Sequence, residues 1–218
     1  MAARPFGPAN VYSRSVADLP LDLGPALAER LARVLDVEGK IPRALEALGP
    51  VGGRDVVLVD GAAGIRARQL ADLGARVSHV AADGDRAFDA PDASADVLVA
   101  CWSAFRGDAP AQMSQATRIL RPGGRLLVVH DYGRDDLALI RGDQPEYGPW
   151  SRRDGPFLGR GFKIRVVHCF WTFGSIDEAS GFLHEAFGEA GRPVAQALKR
   201  PRLSYNIAVY HRTIGDAA

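Results

Sequence analysis

The sequence predicts an α/β fold built on a mostly parallel sheet with helices on both faces. Two observations predict it. From residue 54 onward, short apolar runs alternate with segments of helical period, the order that yields parallel strands joined by crossover helices. The first run, DVVLVD at 55–60, is apolar at successive positions and rich in β-branched residues, as a strand buried on both faces requires.

Before that switch the chain reads differently. Residues 1–20 carry Pro5, Pro8 and Pro20 with little periodicity, which predicts an irregular arm that packs over another part of the molecule. Leu27, Leu31, Val34 and Leu35 then share one face of a helix over 24–37, and PRALEALG forms a second, short helix stopped by Gly49-Pro50. After the first strand, IRARQLADLG reads as a helix ending at Gly74, a natural left-handed stop. Strands follow at 75–82 and 95–102, then a helix at 110–120 halted by Pro122-Gly123-Gly124, then a strand at 125–132. A polar stretch leads to a strand at 162–173. Ser175 with Glu178 three residues on is a capping box opening the next helix, and LSYNIAVYHRT at 203–213 is the last strand.

The chain has 218 residues, 47% hydrophobic and 24% charged. This suits a single structural domain, with an N-terminal arm and cap helices over 1–48 and the sheet over 49–218. A net charge of +1 argues for no nucleic-acid partner and no anionic membrane. No apolar stretch approaches the roughly 20 residues of a membrane span. MAARPFGPANVYSR lacks the apolar core of a secretion signal. Cys101 and Cys169 are too few for a disulfide framework, so free thiols in the cytoplasm are the simpler reading.

Two stretches, SADVLVACWSAF and ATRILRPGGRLLVVHDY, resemble the class I S-adenosylmethionine-dependent methyltransferases of the small-molecule, type 11-like kind. The likeness covers roughly residues 40–213. It implies a Rossmann-like methyltransferase fold, with FKIRVV and LSYNIAVYHR as a final antiparallel pair. It also implies S-adenosylmethionine as cofactor and methyl transfer to a small molecule. The family's first loop runs acidic-x-Gly-x-Gly-x-Gly. In one register its positions fall on Leu58, Asp60, Ala62 and Gly64. In a shifted one, Asp60 takes the acidic place, with Gly61 and Gly64 supporting a shortened loop. The resemblance further places cofactor contacts at Cys101 and Trp102. The acid that grips the ribose in the family falls near Ala81, which cannot accept a hydrogen bond, with Asp83 two residues on. Residues 82–95 are also too few for a further helix and strand, which need about 30 residues. The family's third strand is therefore expected to be missing or vestigial, and the cofactor motif to be degenerate.

His130, Asp131 and Tyr132 close the fifth family strand and are the catalytic candidates, because a base or hydrogen-bonding group there can orient a methyl acceptor. The plainer alternative is a histidine capped by a carbonyl. Trp102 reads equally as a packing lid and as a contact, and Asp83, among Asp85 and Asp89, reads first as a solvated carboxylate. Neither HCFW at 168–171 nor Cys101 has zinc spacing, so no metal is expected. CWSAF lacks the Pro-Pro-aromatic motif of nucleobase amino-methylating enzymes, and DGAAGI lacks the G-x-G-x-x-G of nicotinamide enzymes. A rival to the enzyme reading is a non-catalytic relative, stripped of cofactor binding, that acts as a binding or assembly module. An exposed edge at the second strand points to a homodimer or to cover by the arm.

Overall fold

The computed structural model describes residues 19–60, 64–82 and 87–215. Gly61, Ala62, Asp83 and the arm over 1–18 lie outside them. Helices α1 (Pro25–Val34) and α2 (Lys40–Leu48) lead into β1 (Asp55–Val59), α3 (Ile65–Asp72) and β2 (Arg76–Val80). Then come β3 (Ala95–Cys101), α4 (Pro110–Ile119), β4 (Leu120–Asp131), α5 (Asp136–Arg141), β5 (Lys163–Thr172), α6 (Ile176–Phe187), α7 (Arg192–Ala197) and β6 (Arg202–Thr213). The sheet order is β2-β1-β3-β4-β6-β5. Strands β1 to β4 run parallel, and β6 is antiparallel to both neighbours.

The central strands alternate strictly between two buried layers. Val56, Leu58, Val97, Val99, Leu127 and Val129 face the side covered by α1, α2, α3 and α6. Val57, Val59, Leu98, Ala100, Leu126 and Val128 face α4 and the chain around Trp150 and Phe157. That two-sided burial explains the unbroken apolar runs. Apolar area removed from water, at about 25 cal/mol per Å², is the main favourable contribution.

The described residues between β2 and β3 form no strand, as the short connection predicts. Phe88 fills the gap, fully buried and edge-on to Phe105 at 6.2 Å. Arg118 of α4 clamps the connection by donating to the carbonyls of Ala90 (2.7 Å) and Phe88 (2.9 Å). β2 is left as a largely exposed edge. Three elements depart from the sequence expectation, one of them α7, which the sequence reading did not separate from the helix before it. Residues 136–141 form α5, capped by the Asp135 carboxylate accepting from the Ala138 N–H at 2.8 Å. β4 begins at Leu120, five residues early, because Leu120 pairs with Ala95 before the Gly turn. The expected Ser175 cap is present, its Oγ accepting from the Glu178 N–H at 3.0 Å.

The two glycines of that turn are needed for different reasons. Gly123 has φ +80°, with open space around its Cα. A Cβ on Gly124 would lie 2.8 Å from the Arg121 carbonyl and 3.2 Å from that of Asp96. Gly123→Ala should therefore cost about 1 kcal/mol, from backbone strain alone. Gly124→Ala should cost about 2–3 kcal/mol, because backbone must move. Urea denaturation of the two variants checks the ranking; equal losses would refute the steric account.

Candidate functional site

The chain passes from β1 outward to β2 and then back across to β3 on the other side of β1. Such a reversal opens a crevice at the carboxyl ends of the strands. Asp60 follows β1, Ala81 follows β2, Trp102 and Ser103 follow β3, and Tyr132 follows β4, which ends at Asp131. Both Asp60 (φ +60°) and Trp102 (φ +58°) adopt the left-handed region that non-glycine residues avoid. Strained backbone of this kind clusters at ligand sites.

Asp60 links two of these turns. Its N–H donates to the Val80 carbonyl (2.7 Å), and its Oδ1 accepts from the Ala82 N–H (2.6 Å). Gly64 is extended and opens α3. Ala81 is exposed, and Cys101 is buried. Ser103 Oγ reaches the Val59 carbonyl at 3.3 Å, joining the ends of β1 and β3.

The other pole of the crevice is a buried carboxylate. Asp131 is 3% exposed. Its Oδ1 accepts from the Trp102 indole N–H at 3.0 Å and from the Tyr205 hydroxyl, and its Oδ2 accepts from Arg141. Burial, reinforced by the Asp131 charge, pushes the Tyr205 phenol well up, so it remains a neutral donor. Burial pulls the Arg141 guanidinium down, but Asp131 outweighs that and the net shift is upward. Trp102 stacks on Tyr205 with centroids 6.4 Å apart, and the Arg66 guanidinium lies 5.7 Å from the indole ring. Arg106 holds the Trp102 carbonyl (3.2 Å) and pairs with buried Glu146.

His130 points to the opposite face of the sheet. It is fully buried, edge-on to Trp150 at 4.9 Å, with Nε2 3.2 Å from the Phe105 carbonyl. Burial, aided by the Arg106 charge, lowers its pKa to about 3. The plainer alternative, a carbonyl-capped neutral histidine, describes what is found. Tyr132 is half-buried, and the Arg134 guanidinium lies 5.7 Å from its ring. Strand alternation thus separates His130 from Asp131. Both cysteines are free and buried, and no metal-binding group of three or more His, Cys, Asp or Glu occurs among the described residues.

Sequence reasoning did not find Tyr205, Arg141, Arg106 or Glu146. Tyr205 lies 74 residues beyond Asp131 and reaches it only through the β4–β6 register, in which Asp131 sits opposite Ile207. The alternation Leu203, Tyr205, Ile207, Val209 put Tyr205 on an inward face, the one available signal.

No family model and no curated protein matches the chain. Solved structures do match. A provisionally named type II methyltransferase from Anaeromyxobacter dehalogenans superposes with a TM-score of 0.54 at 19% identity, over 79% of this chain and 94% of that one. A provisionally named methyltransferase of an antibiotic biosynthesis pathway in Anabaena variabilis gives 0.52 at 14% identity, over 83% and 99%. The chain therefore has the Rossmann-like methyltransferase fold, with its last strand antiparallel. No helix among the described residues is long and apolar enough to cross a membrane.

The burial of His130 has a consequence for stability. Its folded pKa, about 3, lies below the ordinary value of 6.5, so the unfolded chain binds the extra proton between these two. Stability is fully present above pH 6.5 and falls as the pH drops toward 3, by about 1 kcal/mol per pH unit. Urea titrations of wild type and His130→Leu between pH 7 and 4 should show a flatter dependence in the variant. Parallel curves would mean His130 titrates normally.

Proposed function

We propose that the crevice beside Asp60 binds S-adenosylmethionine and that the protein transfers its methyl group to a small molecule. The observation that carries this reading is the pair of left-handed residues, Asp60 and Trp102, at the two strand ends flanking the sheet's reversal point. The methionine half of the cofactor is the better fit. Asp60 Oδ1 is engaged by Ala82, and its second oxygen is the acceptor we assign to the ligand's ammonium group. At the ribose end, the Ala81 side chain supplies no acceptor, and among the described residues no strand lies between β2 and β3.

When bound, S-adenosylmethionine supplies an electrophilic methyl group. The chain's own part is to orient and to exclude water. Asp131 keeps Trp102 in place, and Tyr132 at the end of β4 is the residue we assign to the acceptor. His130 is sealed and neutral, so in this reading an acceptor with its own lone pair is used and no protein base is needed. The balanced charge favours a small neutral acceptor over nucleic acid, and two free thiols favour the cytoplasm.

One observation favours the second reading, the non-catalytic module: the Trp102 indole is 5% exposed, with its N–H already committed to Asp131. Titration calorimetry separates the two. S-Adenosylhomocysteine should bind, weakly, with Kd of about 0.1–1 mM given the thin adenosyl side, and Asp60→Ala should abolish the heat. No heat from wild-type protein at millimolar ligand overturns the cofactor reading in favour of the module.

We also propose a homodimer through the edge of β2, which pairs only with β1 among the described residues. Sedimentation velocity should show a dimer at micromolar concentration. A monomer throughout would refute it.

A further inference from the structure

A second groove opens at the same carboxyl-end rim of the sheet, displaced toward β5. It lies between α5, α7, the end of β5 and the start of β6, and has a volume of about 580 Å³, within the range of small-molecule sites. Phe170, Val194 and Leu198 line it. Leu139 stands at its lip, 77% exposed. Leucine on a helix beside an apolar groove is surface that a ligand would remove from water.

The charged lining is mostly basic, with Asp136 its one carboxylate. Lys199, Arg200 and Arg202 follow α7 within five positions and all line the groove. The Arg202 guanidinium lies 4.3 Å from the centroid of the Phe170 ring, and Lys40 Nζ lies 4.9 Å from the same point. Among the described residues, neither Lys199 nor Arg200 pairs with a carboxylate. The acids nearby are engaged. Asp136 Oδ2 accepts from the Ser204 N–H (2.7 Å) and hydroxyl (2.8 Å), and Glu38 on the basic flank pairs with Lys40 at 2.7 Å.

An apolar trough with unpaired cations along one wall complements one class of molecule. We propose that this groove binds an anionic amphiphile of small-molecule size, its hydrocarbon body on Phe170, Leu198 and Leu139 and its carboxylate or phosphate head on Lys199 and Arg200. The body supplies the affinity by area removed from water, and the cations select the head. This site is independent of the S-adenosylmethionine reading, because it shares none of the residues placed at the crevice.

The test uses the whole chain without cofactor and titrates it calorimetrically, below micellar concentrations, with decanoate, decyl phosphate, decanol and decyltrimethylammonium. At least one anion should bind about tenfold more tightly than decanol, with the cation weakest. The two anions distinguish a carboxylate head from a phosphate head. In the double variant Lys199→Glu/Arg200→Glu, anion binding should fall about tenfold while decanol is unchanged. Leu139→Asn should weaken anions and decanol together. Circular dichroism of these surface variants verifies the fold. Silence from both anions, equal affinity for decanol and the anions, or full anion binding by the charge-reversed variant would each overturn the proposal. So would occupancy by an acidic helical peptide that decanoate cannot displace.

Discussion

A carboxylate taken out of water costs several kcal/mol unless its lone pairs find donors, and Asp131 meets that demand from three separate elements. Trp102 donates from the end of β3, Arg141 from α5 and Tyr205 from β6. Hydrogen bonds to a charged group contribute about 1.5–3 kcal/mol each, so three of them offset the desolvation and make the arrangement specific. The same bonds hold Trp102 in its left-handed backbone, pin α5 across the strand end and tie β6 to β4 beyond the backbone ladder. The packing at these strand ends follows from satisfying one buried charge.

Around that hub, the sheet assigns roles by parity. His130 and Asp131 are neighbours in sequence but enter opposite layers. One meets Trp150 and Phe157 and stays neutral; the other meets three donors. Burial is the main cause of the lowered His130 pKa. Arg106 bridges the layers, holding the Trp102 carbonyl on one side and depressing His130 on the other.

The lack of a strand among the described residues between β2 and β3 has a local explanation and a wider effect. Phe88 and the Arg118 clamp replace a strand and helix with a short packed connection. That seals the layer facing α4 but leaves β2 largely exposed. At the other end of the sheet, β5 and β6 carry the basic groove. The molecule therefore has two concave features on one rim, joined by the Asp131 hub through α5, which starts five residues after Asp131 and lines the groove with Asp136 and Leu139.

Much of this was legible in the residues themselves. Apolar runs marked β1, β3 and the second half of β4, because burial on two faces forces unbroken hydrophobicity. ILRPGG marked its turn, because Gly124 admits no side chain between two carbonyls. The short 82–95 connection announced, through chain length alone, that its described residues form no strand. The sequence by itself determined most of the element order and the two-faced sheet, since these depend on local periodicity and reach. Only the tertiary structure decided that Asp131 gathers Trp102, Arg141 and Tyr205, that His130 is sealed away, and that Phe170, Leu139 and three cations share a groove. Those pairings join residues far apart along the chain, and strand register and layer packing, which no local window encodes, bring them together.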